Sequence, residues 1–135
     1  MHTHRQSIVL LLAIAAMAFA PGAVEQAPGR ITMDAFIRMY ELKAVLILDV
    51  RGVDAYRAGH IAGAVHVPLD QIAERISEIR SLIKPPNPVV TYCSCPDEHA
   101  SLAAVKILAD HGIPNASALI GGYPEWVERG GRVER

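Results

Sequence analysis

Cys93 and Cys95 are the only two cysteines in the chain, and a single serine, Ser94, separates them. They follow an apolar run, Val89-Val90-Thr91-Tyr92, and precede a polar turn, Pro96-Asp97-Glu98-His99, that leads into an amphipathic stretch. A thiol between a strand and a helix faces free backbone N–H groups and the positive end of the helix dipole. Both features favour a thiolate and attract an anion, so nucleophilic sulfur chemistry is the natural reading. Cysteine often serves as a small buried hydrophobe, but two cysteines in a turn with Pro, Asp and Glu do not read as core. A disulfide between them would close a small strained ring, readily reduced, and so suited to exchange or regulation rather than stapling.

The neighbours of the pair carry their own alternatives. Asp97 and Glu98 are acidic residues of the kind favoured at a helix N-terminus. The same charges oppose a nearby thiolate: at ~4 Å and an effective dielectric near 20, one is worth up to about 4 kcal/mol before screening. The direction of those side chains is left open by the sequence. His99 either tunes the thiol or is a surface residue of the helix's first turn, and with both sulfurs it would make a soft-metal set. Asp49 and Arg51 close an apolar run and are expected to form an ion pair that shapes the strand end. His60 is expected to fix its turn through a side-chain hydrogen bond. Tyr123 and Trp126 are expected to pack the last helix against the sheet.

The elements that position these residues alternate along the chain. Thr32 is placed to cap a helix over 33–42. Val45 to Val50 is a continuous apolar run, the mark of a strand buried on both faces. A short helix is expected over 53–58, stopped by Gly59. A strand is expected over 61–68, ended by Pro68. Asp70 is expected to cap a helix with Ile72, Ile76, Ile79 and Ile83 on one stripe. Residues 84–88, rich in proline, cannot be helix. A third strand over 89–93 leads through the cysteine turn to a helix over 99–110. That helix should bury Leu102, Val105, Leu108 and Ala109 and end near Gly112. A strand over 116–120, a Gly121-Gly122 turn and a helix over 124–129 complete the order. Such alternation predicts a three-layer α/β domain with a mostly parallel sheet flanked by helices. Ligands of such sheets bind beyond the carboxyl ends of the strands, where Cys93 falls.

Leu48-Asp49-Val50-Arg51, Tyr56, Gly59-His60-Ile61-Ala62-Gly63-Ala64 and Pro68 resemble the first half of a rhodanese domain. Tyr92-Cys93, the loop and helix after it, and Gly121-Gly122-Tyr123-Pro124-Glu125-Trp126 resemble its second half. The resemblance implies a rhodanese-like domain over 31–130. It also implies a sulfurtransferase whose cysteine takes a sulfane sulfur, becomes a persulfide and passes the sulfur to a thiophilic acceptor. Carried over, the nucleophile is Cys93, and Ser94, Cys95, Pro96, Asp97, Glu98, His99 and Ala100 form the loop that cradles the donor anion. Counting back from Ser101 and Gly112 makes Cys95 the alternative, because the loop is about two residues longer than the family's. It also lacks the family's arginine and contains a proline, which removes one donor. The partners implied are a small sulfur donor and a thiol acceptor, with no cofactor and no resident metal. Phosphoryl chemistry is excluded, since no arginine between Cys93 and Ser101 can close on the phosphate oxygens. The rival readings are a thiol-redox or soft-metal-binding protein using the Cys-x-Cys pair, and a non-catalytic binding module on the same scaffold.

The first 22 residues read as a signal peptide. Arg5 precedes an unbroken apolar run, Ile8 to Phe19, about a dozen residues where a bilayer span needs ~20. Cleavage is expected after Ala20 or Gly22, and an uncleaved anchor is the alternative. Residues 23–30 read as a linker and 131–135 as a C-terminal tail. The expected location is periplasmic or secreted, or membrane-anchored facing the periplasm if the leader stays. The chain has 13 basic and 14 acidic residues and no basic patch, which argues against nucleic acid as a partner.

Overall fold

The computed structural model describes residues 29–135. The leader and nearly all of the linker lie outside them. Five parallel strands form the central sheet: β1 (Arg30–Ile31), β2 (Leu46–Asp49), β4 (Val65–His66), β5 (Val89–Tyr92) and β6 (Ala116–Leu119). Their spatial order is β1-β6-β5-β2-β4. The helices are α1 (Met33–Glu41), α2 (Val53–Ala58), α3 (Ile76–Leu82), α4 (His99–Asp110) and α5 (Gly122–Glu128). The expected α/β class and parallel sheet are what the chain forms.

Alternation along each strand splits the core into two layers. Phe36, Ile47, Ala64, Val90, Tyr92, Leu119 and Trp126 fill the side covered by α1 and α5. Leu48, Val67, Ile72, Ile79, Val89, Cys93, Ala104 and Leu108 fill the side covered by α3 and α4. The last residue of β5 and the one after it therefore part company: Tyr92 goes to one layer and Cys93 to the other. Trp126 meets Phe36 and Tyr40 edge-on, at 5.5 and 4.8 Å between ring centres, and donates to the Arg132 carbonyl. Thr32 caps α1 by accepting from the Ala35 N–H.

Four expectations change. The strand expected over 61–68 is two short pieces, β3 (His60–Ile61) and β4, because Gly63 takes a left-handed φ of +87° and breaks the run. Asp70 caps no helix. It lies in a 3-10 turn, Leu69–Gln71, and α3 begins only at Ile76, although Ile72 and Ile79 are fully buried as expected. The buried face of α4 is Ser101, Ala104 and Leu108, and Ala109 is exposed, a rotation of the expected stripe. Residues 131–135 are not a loose tail: β7 (Val133–Glu134) pairs antiparallel with β3.

Candidate active site

The carboxyl ends of β2 and β5 carry two different clusters. At β2, Asp49 is fully buried and receives Arg51 Nη2 at 2.6 Å, Arg51 Nε at 3.0 Å and the Arg51 backbone N–H at 3.0 Å. Tyr92 Oη donates to Asp49 at 2.6 Å and accepts from the Ile61 N–H at 3.0 Å. The guanidinium of Arg51 also donates to the Gly59 carbonyl and lies 4.1 Å from the Tyr123 ring centre. Burial would lower the Arg51 pKa, but the Asp49 carboxylate outweighs it and holds the guanidinium above its usual range. Burial, then the bond to Asp49, pushes the Tyr92 phenol far above its usual 10.0. Asp49 and Arg51 thus form the structural ion pair expected of them. Tyr92 is its third member; the signal available was its place one residue before the cysteine, at the end of the neighbouring strand.

His60 also matches its expectation, with Nδ1 2.9 Å from the Tyr56 carbonyl and its ring stacked on Tyr56. Tyr123 packs less against the sheet than over Arg51, whereas Trp126 is buried.

At β5, the cysteine loop crosses the strand end toward α4. Cys93 and Cys95 are joined as a disulfide, with Cα atoms 5.6 Å apart. Cys93 is 4% exposed, and its Sγ lies 3.6 Å from Ser101 Oγ in the core beneath α4. Cys95 is half-buried, and its Sγ accepts from the Ala100 N–H in the first turn of α4 at 3.4 Å. The amide expected to face a sulfur is therefore present, and the sulfur it faces is Cys95. Ser94, Pro96 and Asp97 are exposed, and Ala100 is half-buried. His99 is exposed and turns its Nδ1 to the Pro96 carbonyl, 2.7 Å away, rather than to the sulfurs.

Asp97 and Glu98 both sit in the left-handed region, at φ of +54° and +53°. Non-glycine residues there cost of order 1 kcal/mol or more each, and such strain gathers at functional loops. Glu98 is held in place by two groups from other elements: its Oε1 accepts from the Gly121 N–H at 3.1 Å and its Oε2 from Arg30 Nε at 3.4 Å. Arg30 also donates to the Asp97 carbonyl. The Glu98 carboxylate is thus engaged with Gly121 and Arg30, not with the sulfurs. Arg30 was invisible to motif reading, because it lies 68 residues from Glu98 and reaches the loop only through the pairing of β1 with β6.

Gly122 closes the floor of the site. A Cβ there would overlap the Cys93 carbonyl oxygen, which accepts from the Tyr123 N–H at 3.0 Å. This is a close backbone approach that only glycine permits. A cleft lined by Ile83, Pro85, Val89, Ile113 and Pro114 opens at the other end of β5 and β6, away from the cysteines. Among the described residues, no three His, Cys, Asp or Glu side chains are grouped to hold a metal ion. None of the described helices is long and apolar enough to cross a membrane.

Comparison with known proteins agrees with this architecture. The family model for the rhodanese-like domain matches residues 32–129. The thiosulfate sulfurtransferase GlpE of Coxiella burnetii is 34% identical over 82 residues, covering 61% of this chain and 71% of that protein. GlpE of Pseudomonas entomophila is 30% identical over 84 residues, covering 62% and 72%. The match spans only 40%, 63% and 49% of three other curated relatives. Among solved structures, the rhodanese-like domain of an Anabaena protein superposes with a TM-score of 0.65 at 28% identity, covering 78% of each chain. From the paired strand ends to the matched length, the chain belongs to the rhodanese-like domain family.

Proposed function

We propose that the chain moves a sulfane sulfur through a cysteine persulfide, from a small donor to a thiol acceptor. One observation carries the reading: Cys95 is only half-buried at the N-terminus of α4, and its Sγ accepts from the Ala100 N–H. The relatives named as thiosulfate sulfurtransferases, of whose length the match covers 71% and 72%, support it. Once the Cys93–Cys95 bond is reduced, the Cys95 thiolate attacks the outer sulfur of a donor such as thiosulfate. A new S–S bond forms, the donor's own S–S bond breaks and sulfite leaves with its electron pair. The acceptor thiol then takes the sulfur in a second displacement, so the kinetics are ping-pong. Exposure favours Cys95, the alternative nucleophile, over Cys93 for the first step. The Glu98 and Asp97 charges favour a less charged persulfide donor over doubly charged thiosulfate.

The test is sulfur transfer from thiosulfate and from a low-molecular-weight persulfide to cyanide, with the full chain reduced beforehand. Cys95→Ser should lower kcat/KM by about a thousandfold or more, as expected for loss of a nucleophile. Full retention in Cys95→Ser with loss in Cys93→Ser would exchange the roles. Retention in both would end the reading.

Export belongs to the same proposal. The short apolar run Ile8 to Phe19 behind Arg5 supports it. A mature N-terminus near Ala20 or Gly22 in the periplasmic fraction is the expected result; an intact chain in the membrane fraction would instead give the anchored form, and one in the cytoplasm neither. A thiol-redox role is the second reading, and the Cys93–Cys95 bond favours it. Native mass of Cys93→Ala separates the two: donor treatment of that reduced variant adds a sulfur atom only in a carrier.

A further inference from the structure

We propose that Cys93 is a built-in resolving thiol, which makes the protein release its sulfane sulfur as sulfide without a separate acceptor. The inference rests on the persulfide reading and adds to it the product and the fate of the enzyme. Three features carry it. The two sulfurs stand within bonding reach, since they are joined as a disulfide. Their surroundings differ: Cys95 is half-buried, with its Sγ on the Ala100 amide, whereas Cys93 lies in the core, 4% exposed. A donor therefore loads Cys95, the more exposed of the two, and Cys93 reaches the inner sulfur of whatever forms on Cys95. Ser101 Oγ, which lies beside Cys93 Sγ, donates to the Glu98 carbonyl and so ties the buried sulfur's neighbourhood to the loop that carries its partner.

The step balances. The Cys95 persulfide anion and the Cys93 thiol become the Cys93–Cys95 disulfide and hydrosulfide. The bond from Cys93 Sγ to Cys95 Sγ forms, the bond from Cys95 Sγ to the outer sulfur breaks, and the outer sulfur leaves with the electron pair and the thiol proton. Each cysteine sulfur is oxidised by one electron and the sulfane sulfur is reduced by two. The disulfide is then reopened by an external dithiol, which supplies those two electrons. Because attack is intramolecular, it competes with any acceptor at ordinary concentration. A free thiol acceptor receives the sulfur only when it outpaces Cys93.

The experiment is one turnover of the full, reduced chain with thiosulfate, in the absence of oxygen and of any thiol or cyanide. Sulfite, sulfide and protein mass are followed together. The expected result is sulfite and sulfide in equal amounts and a protein lighter by two hydrogens than the dithiol form. In Cys93→Ala the protein should instead keep one added sulfur atom, with sulfide release slower by about a hundredfold or more. Wild-type protein that releases sulfite but keeps the added sulfur, with no sulfide, overturns the inference and leaves the carrier standing. Wild-type protein that yields no sulfite with thiosulfate, and neither added mass nor sulfide with a low-molecular-weight persulfide, overturns the carrier itself. The wild-type measurement decides the matter even if Cys93→Ala fails to fold.

Discussion

The ends of β2 and β5 are neighbours in one sheet, yet they are built on opposite plans. At β2, a fully buried carboxylate is saturated by Arg51 and Tyr92, and every group in the knot has a partner inside the fold. At β5, the chain leaves the sheet through two strained non-glycine residues, and the charged side chain that settles them is borrowed from β1. The first plan makes a rigid wall. The second holds a loop open over two sulfurs, at a standing cost in backbone strain. The comparison teaches where charge belongs near a nucleophile. Asp49 is sealed on the Tyr92 side of the sheet, and Glu98 is tied to Arg30 and Gly121, so neither carboxylate engages the thiols.

Breaking the rigid wall should cost most. Asp49→Ala leaves Arg51 buried without its partner and should destabilise the fold by about 3–5 kcal/mol in chemical denaturation. A loss under 1 kcal/mol would mean that the knot is ornamental. Next is Gly122→Ala, where a Cβ meets the Cys93 carbonyl and φ is +51°; a loss of about 2 kcal/mol is expected, with sulfur transfer impaired by displacement of the cysteine turn.

Tyr92→Phe sharpens the comparison through pH. The folded-state phenol titrates far above 10.0 and the unfolded one near it. Below pH 10 both states are protonated, and the contribution is fully present. Above it only the unfolded state ionises, so stability should fall by about 1.4 kcal/mol per pH unit from this residue. Tyr92→Phe should remove that part of the alkaline slope; an unchanged slope would place the phenol's titration elsewhere. The smallest effect is expected in the strained loop. Asp97→Gly relieves a left-handed φ of +54° at an exposed residue and should raise stability by about 0.5 kcal/mol. Destabilisation instead would show that the aspartate side chain does more than bear strain.

Much of the scaffold was legible because it follows local rules. The apolar run at β2, the Thr32 cap, and the bounds of α2 and α4 all came from patterns within a few residues. The misreadings came where local patterns were ambiguous. Ile61 to Pro68 looked like one strand because nothing local shows that Gly63 takes a positive φ. The Ile72–Ile83 stripe looked like one helix because buried isoleucines at helical spacing also fit a 3-10 turn followed by a helix. The tail at 131–135 carries no strand signal strong enough without its partner β3, far earlier in the chain, where Ile61 stands opposite Val133, a pairing that depends on the closed fold.

By itself, the order of residues determined the family, the alternation of strands and helices, and the presence of two sulfurs at the carboxyl end of a buried strand. Only the tertiary structure decided which way each group faces. The period of two along β5 sends Tyr92 to Asp49 and Cys93 beneath α4, and the path of the turn brings Cys95 out to the Ala100 amide. Arg30 reaches Glu98 because β1 is laid beside β6. Side-chain direction and long-range pairing are set by packing across the whole sheet, which no short window of sequence contains.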